Sequence, residues 1–290
     1  MIYNYDRGPL PYTDLACERR RCDTDLSGVE YARARTSCGE WERLKITGEA
    51  GEKSIGKPRG NYSTLNLTRM DLLDSDMQYF AAREIAKEIT KLSPITDTAG
   101  CGILVVGLGN RALTSDSLGP AVCDRVKPTR HIKENDAELF KKLECAEITV
   151  IAPGVSAKTG LESAAIISSL CKLISPKIVL TVDSITTCSY ERLGSTVQIT
   201  DSGICPGSGL FNSKKEISRT TLGVPVISVG VPTVIDARVP YLDGLGDKGI
   251  PDTAKIPSPR MFVSPKEIDE IVNYASQIIA NAINFAFGIG

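Results

Sequence analysis

Two aspartates follow predicted strands at positions where acid–base chemistry could take place. Asp116 lies in a Ser-Asp-Ser sequence in the loop after an apolar run at residues 103–106, and Asp183 directly follows a second run at residues 178–182. An aspartate at the carboxyl end of a buried strand is costly to bury unless it is paired, hydrogen-bonded or neutralised. If the two strands are neighbours, both carboxyl groups face one cleft from two separate loops.

Such a pair of carboxyl groups could hydrolyse an amide without a metal or a covalent nucleophile. Two carboxyl groups at close range do not both ionise easily, so one keeps a proton while the other accepts one from water. These are the two roles of general acid–base catalysis. The alternative is that Asp116 is a helix cap. Asp236, after the apolar stretch 229–235, is a third candidate, with a cap or turn as its alternative role.

The glycine-rich loop at residues 107–112 raises a different possibility. Its sequence, Gly-Leu-Gly-Asn-Arg-Ala, formally fits the dinucleotide-binding pattern G-x-G-x-x-G/A. However, residues 113–120 are loop-like rather than the start of a long helix. The pattern also requires a strand that ends in an acidic residue about 20 positions further on, where the carboxylate would bind the ribose. No such strand is predicted there. A tight exit from the strand is the alternative interpretation of these glycines.

Nucleophilic and metal-dependent chemistry have less support in the sequence. The single histidine, His131, lies in a charged stretch typical of a surface loop, although it could serve one Ser/His or Cys/His arrangement. No G-x-S-x-G elbow is present, and residues 203–209 resemble a flexible rim loop rather than a phosphate cradle. The nine cysteines are isolated from one another, which is typical of reduced thiols. We therefore expect no metal site and no cofactor.

The composition is that of an ordinary globular chain. Among 290 residues, 34 Lys and Arg balance 35 Asp and Glu, and 42% of the residues are hydrophobic. The net charge of −1 argues against a bulk electrostatic grip on nucleic acid or on an anionic membrane. No apolar run approaches the ~20 residues of a membrane helix, and the N-terminus lacks a signal-peptide layout. We expect a soluble, intracellular chain.

Strands that alternate with helices predict how these residues are positioned. Four apolar runs are typical of strands covered on both faces: 103–106, 148–151, 178–182 and 224–229. Helices are predicted over residues 79–92, 160–174, about 213–221 and 264–287. In the last of these, Ser264 and Glu267 fit a capping box. The pattern indicates an α/β fold with a mostly parallel sheet, in which ligands bind beyond the carboxyl ends of the strands.

The remaining segments divide into three parts. Residues 1–28 are polar and contain Gly-Pro-Leu-Pro, which resists regular structure, so they are expected to form a detachable N-terminal segment. Residues 29–78 read as a strand-rich N-terminal part. Residues 238–260 carry many Pro and Gly-Asp turn signals and are expected to form a surface loop.

Several motifs, in the right order, make the chain similar to a known family. They include Thr-Asp-Leu-Ala-Cys-Glu at residues 13–18 and Val-Gly-Val-Pro-Thr-Val-Ile-Asp-Ala at residues 229–237. The other matching stretches are residues 105–110, 116–120, 129–131, 151–155, 159–162, 199–209 and 263–269. In these motifs the chain resembles the germination proteases, or spore proteases, of endospore-forming bacteria.

The resemblance implies an atypical aspartic endopeptidase that acts on small acid-soluble spore proteins in the forespore or spore-core cytoplasm. It implies a self-processing zymogen, a homotetramer, and essential aspartates at Asp116 and Asp183. It also implies cleavage between Asp14 and Leu15, with a pro-segment at residues 1–14 and one α/β peptidase domain at residues 15–290. Tyr12 departs from the pattern, because the family usually has Arg at that position.

The fold implied is a twisted sheet sandwiched by helices, like that of hydrogenase maturation proteases, a phosphorylase/hydrolase-like architecture. Direct contact with nucleic acid or membrane is not expected. Two alternatives remain open at this point. One is a hydrogenase-maturation-type protease, which would place a carboxylate and His131 near the cleft. The other is a non-enzymatic nucleotide-binding module, in which Asp116 is only a cap.

Overall fold

A computed structural model describes residues 12–20, 27–205, 215–240 and 261–289 of the chain. The strands are β1 (Val29–Arg35), β2 (Glu40–Ile46), β3 (Gly60–Asn66), β4 (Gly102–Gly107), β5 (Glu147–Ile151), β6 (Ile178–Thr187), β7 (Thr196–Thr200), β8 (Val226–Asp236) and β9 (Phe262–Val263). The helices are α1 (Ala16–Arg19), α2 (Glu49–Ile55), α3 (Ser75–Leu92), α4 (Leu118–Cys123), α5 (Arg130–Asn135), α6 (Ala137–Leu143), α7 (Ser156–Thr159), α8 (Ser163–Ile174), α9 (Arg219–Leu222) and α10 (Ile268–Ala286).

One sheet with a parallel half and an antiparallel half organises the described chain. Its strand order is β1-β2-β3-β7-β8-β6-β4-β5, and β9 pairs with β8. The four apolar runs form the parallel half, β5-β4-β6-β8, which confirms the α/β class. In the other half, β1, β2 and β3 are antiparallel because they follow one another closely, whereas a parallel pair needs a long crossover. Strand β7 pairs antiparallel with both β3 and β8 and joins the two halves. The sheet as a whole is therefore mixed.

The two faces of this sheet are covered differently. On one face α3, α4 and α10 pack over a continuous core that includes Trp41, Ile85, Val182 and Ile279. On the other face the buried residues form two separate clusters. Helix α8 covers one cluster around Leu104 and Val179, while α1 and α2 cover the other around Leu44, Ile46 and Ile55. The gap between these two clusters leaves room for a cavity over the middle of the sheet.

The C-terminal helix confirms its predicted apolar stripe but begins later than expected. Ile271, Ala275, Ile279 and Ile283 are fully buried. The helix begins at Ile268, and its N-cap residue makes no side-chain capping bond, so the predicted capping box does not form. The physical reason is that β9 pairs with the end of β8, which keeps residues 262–263 extended and leaves the next residues for a turn.

Parts of other predicted segments lie outside the described residues. These are residues 1–11 of the expected pro-segment, residues 206–214 before α9, and residues 241–260 of the expected surface loop. Within the described ranges, no helix is both long enough and apolar enough to cross a membrane.

Candidate active site

Asp183 lies inside strand β6 rather than at its end. The sequence predicted that the strand stops at Val182, but β6 continues to Thr187 because β8 pairs with it from Val179 to Thr187, with one register shift after Ile185. The neighbour on the other side, β4, ends at Gly107, opposite Val182. Asp183 is therefore the first residue of β6 beyond the end of β4, and only 7% of it is exposed.

Asp116 is held in a short 3₁₀ turn between β4 and α4. The backbone N–H of Asn110 donates to the Asp116 carbonyl at 2.8 Å. The hydroxyl of Thr233 on β8 donates to the Ser115 carbonyl at 2.6 Å. Gly109 has φ +113°, and a Cβ there would lie 2.1 Å from the Asp116 carbonyl oxygen. The turn is thus fixed from both the β4 exit and β8, and only glycine fits at position 109.

Glycines also let α4 sit directly on the ends of two strands. A Cβ on Gly119 would lie 2.2 Å from the Leu108 carbonyl oxygen and 2.5 Å from that of Val182. A Cβ on Gly107 would lie 2.2 Å from the Gly119 carbonyl oxygen. This contact packs the loop of Asp116 against the strand of Asp183. The geometry favours the tight strand exit over the phosphate-binding interpretation of these glycines.

Asp116 and Asp183 line the same cavity, which has a volume of about 470 Å³. The sequence predicted that the two carboxyl groups face one cleft, and the structure brings them to one. Its walls also include Tyr12, Asp14, Arg19, Lys57, Tyr62, Gln198, Thr200, Cys205, Glu216, Ser228, Gly230 and Thr233. Two carboxyl groups at one cavity can divide the roles of general acid and general base. The catalytic roles of these two residues remain a prediction.

Asp236 and His131, the other titratable candidates, lie elsewhere. Asp236 is 1% exposed and paired with Arg238, which donates to it at 3.0 Å. Burial of that carboxyl group opposes ionisation, but the hydrogen bonds from Arg238 and from the Tyr12 backbone outweigh it and lower the pKa of Asp236. His131 is exposed on α5 and is not part of the cavity wall. The carboxylate–histidine arrangement expected of a hydrogenase-maturation-type site does not form at this cavity.

Cys205, the thiol on the cavity wall, is not poised as a nucleophile. The reactive form of cysteine is the thiolate, which needs a lowered pKa. Burial raises the pKa of Cys205, as it raises that of Cys123 to about 12. Ser208, in the glycine-rich sequence that suggested a serine nucleophile, lies outside the described residues. Those same described ranges contain no group of three or more His, Cys, Asp or Glu arranged to hold a metal ion.

Comparison with known proteins gives the family. The family model described as germination protease matches residues 13–244. A germination protease from Caldanaerobacter subterraneus is 33% identical, over 96% of this chain and 94% of that protein. The one from Priestia megaterium is 37% identical, over 89% of this chain and 75% of that protein. The chain belongs to the germination protease family.

A solved structure is also similar, at a lower level. It is a [NiFe] hydrogenase maturation protease from Thermococcus kodakarensis, with 16% sequence identity and a TM-score of 0.32. The match covers 63% of this chain and 92% of that one.

The N-terminal segment of this germination protease family member reaches the cavity wall at Tyr12 and Asp14. The Asp14 N–H donates to the Thr186 carbonyl at 2.9 Å, and the Thr186 N–H donates to Asp14 Oδ2 at 2.9 Å. The next two residues, Leu15 and Ala16, are fully buried. Asp14, on the amino side of the expected processing bond, therefore lines the same cavity as the two aspartates, whereas Leu15 is not part of the cavity wall.

Gln198 on β7 clamps the main chain around that bond. Its Nε2 donates to the Asp14 carbonyl at 3.2 Å, and its Oε1 accepts from the Ala16 N–H at 2.8 Å. Sequence reasoning missed Gln198 and Thr186, because both lie more than 170 residues from the segment that they bind. A glutamine in a strand carries no signal of this role until the strand and the segment are placed side by side.

Glu18 anchors the other end of the segment. Its carboxylate accepts from the Thr187 hydroxyl at 2.5 Å and from the Cys188 N–H at 3.0 Å. The guanidinium of Arg192 lies 3.7 Å from it. The two acidic positions of the sequence Asp-Leu-Ala-Cys-Glu are thus held by β6 and by the residue that follows it, and the apolar position, Leu15, is fully buried.

Proposed function

We propose that this chain is an endopeptidase that starts the degradation of small acid-soluble spore proteins during spore germination. The observation that carries the proposal is that Asp116 and Asp183, from separate elements, line one cavity in a member of a peptidase family. The proposal includes a zymogen with a pro-segment at residues 1–14, one peptidase domain at residues 15–290, a homotetramer, and a location in the cytoplasm of the forespore or spore core.

In the proposed reaction the two carboxyl groups act on a water molecule and on an amide. One carboxylate takes a proton from water as the oxygen attacks the carbonyl carbon of the substrate. The other carboxyl group is neutral and gives its proton to the amine nitrogen as the C–N bond breaks. The products are a carboxylic acid and an amine, and each aspartate then holds the proton state that the other had. Exchange with solvent restores the starting state.

The proposed function is tested with the purified full chain and a recombinant acid-soluble spore protein. We expect a small set of discrete fragments, seen by mass spectrometry. Size-exclusion chromatography with light scattering tests the tetramer separately. A panel of nucleotides in a thermal-shift assay tests the remaining alternative. Stabilisation by a nucleotide together with no cleavage of the spore protein would refute the proposed function.

Binding of the substrate to DNA is expected to slow its cleavage. Acid-soluble spore proteins that are unstructured when free can enter a cleft as an extended chain, whereas a DNA-bound form is ordered and withholds that chain. The measurement compares the initial cleavage rate with and without saturating duplex DNA. An unrelated unfolded protein that does not bind DNA serves as the control, and its cleavage should not change. Equal rates for the spore protein in both conditions would contradict this expectation.

Self-processing is expected at the Asp14–Leu15 bond, because Asp14 lines the cavity that holds Asp116 and Asp183. After incubation at mildly acidic pH, N-terminal sequencing should find Leu15 as the new first residue, together with a rise in activity. The variant Asp183→Asn should keep Met1. A fully active wild-type chain that still begins at Met1 would exclude this step, as would unchanged processing in Asp183→Asn.

A further inference from the structure

Lys57 places a cation on the wall of the candidate active site. It lies two residues beyond the end of α2, and 21% of its side chain is exposed. Its Nζ lies 4.0 Å from Asp14 Oδ1. Among the described residues, Asp14 is the sole ion-pair partner of Lys57. Lys57 is therefore not needed to neutralise a carboxylate of the folded body of the protein.

The Asp14 carboxylate accepts hydrogen bonds from β6 and from its own segment. Its Oδ2 accepts from the Thr186 N–H at 2.9 Å, and its Oδ1 accepts from the Tyr12 hydroxyl at 2.6 Å. Tyr12 belongs to the same segment as Asp14. The groups that the body of the protein offers to this carboxylate include one backbone N–H, from Thr186, and one ammonium group, from Lys57.

These two groups differ in what they select. A backbone N–H can donate to a carboxylate or to a neutral amide oxygen, so by itself it excludes neither. A nearby ammonium group favours the carboxylate, because hydrogen bonding and charge then act together in a partly desolvated site. Burial lowers the pKa of Lys57, while the charge of Asp14 opposes that shift. An anion at this position thus helps to keep Lys57 charged, and the two groups support each other.

The main chain at Asp14 is also held by the folded body of the protein. Its N–H donates to the Thr186 carbonyl, and its carbonyl accepts from Gln198. We propose that Lys57 and the Thr186 N–H form the subsite for the acidic side chain immediately before the cleaved bond, first in the pro-segment and then in substrates. This inference rests on the proposed peptidase function and adds a specificity-determining residue to it.

The test uses two peptides with the sequence of residues 9–20, one with Asp at position 14 and one with Asn. The wild-type, Lys57 and Lys53 proteins are each first incubated until N-terminal sequencing finds Leu15 as the first residue, so that their own Asp14 no longer occupies the subsite. In the wild-type chain we expect kcat/KM for the Asp peptide to exceed that for the Asn peptide about tenfold, the size of a partly buried charge interaction of about 1.4 kcal/mol. In Lys57→Gln the ratio should fall to about one, because cleavage of the Asp peptide slows while that of the Asn peptide does not change. A general structural defect would slow both peptides equally.

Lys53→Gln is the matched control, because Lys53 is an exposed residue of α2 one turn earlier. It should keep the wild-type ratio. Lys57→Met provides a second neutral replacement, and it should abolish the preference in the same way. An unchanged ratio in both Lys57 variants would overturn the proposed subsite. The peptidase function would still stand in that case if the wild type cuts the Asp peptide and Asp183→Asn does not. If the wild type cuts neither peptide, the proposed function itself fails.

Discussion

Replacing either Asp116 or Asp183 with Asn is expected to lower the rate of peptide-bond cleavage by about 10²- to 10⁴-fold, the usual contribution of general acid–base catalysis. Asn is nearly the same size as Asp but does not cycle a proton, so the fold should be retained. The two residues act as one unit, and the double variant should therefore be about as inactive as either single variant. The measurement is kcat/KM on a spore protein, with the unfolding midpoint recorded for each variant.

Asp124→Asn is the control for this prediction. Asp124 lies just beyond α4, its side chain is 52% exposed, and it pairs with Arg111 at the surface. Its replacement removes an exposed ion pair of little energetic value and should leave the rate unchanged. Chelators should also leave the cleavage rate unchanged, because the described ranges contain no group of three or more His, Cys, Asp or Glu that could hold a metal ion. Near wild-type turnover in either Asp116→Asn or Asp183→Asn would refute the catalytic assignment.

Gly109→Ala is expected to reduce activity by about 10²-fold or more, although residue 109 is outside the cavity wall. An added Cβ would lie 2.1 Å from the Asp116 carbonyl oxygen and 3.0 Å from its Oδ1, so the turn that carries Asp116 must move. A shift of about 1 Å in a catalytic group costs a loss of that size. The strained φ of +113° should also lower the free energy of unfolding by about 1–3 kcal/mol.

Gly160→Ala separates the two effects. Gly160 also has a positive φ, +73°, but a Cβ there meets no atom within 4 Å among the described residues. This variant should lose about 1 kcal/mol of stability through backbone strain and keep its full activity. The unfolding midpoint in urea and kcat/KM are measured for both variants. If Gly109→Ala retains wild-type kcat/KM, the packing of Gly109 does not position Asp116 for catalysis.

The α/β class, the four parallel strands and the family could all be predicted from the sequence. Each of these rests on local information: an apolar run of four to six residues marks a buried strand wherever it pairs, and an ordered set of motifs marks a family. The sequence also indicated Asp116 and Asp183 as a pair, because both follow such runs and neighbouring parallel strands end at a common edge. The two residues do share a cavity, while their catalytic roles await the substitutions described above.

The tertiary structure alone decided how far the strands extend and what else reaches the cavity. Residues 183–187 stay in β6 because β8 supplies hydrogen-bond partners for them, and polar residues give no sign of such a partner in the sequence. In the same way, β9 delays the start of the C-terminal helix through its pairing with β8. Lys57, Thr186 and Gln198 lie far apart along the chain and carry no shared motif. They meet around Asp14 only because the antiparallel and parallel halves of the sheet join at β7 and β8.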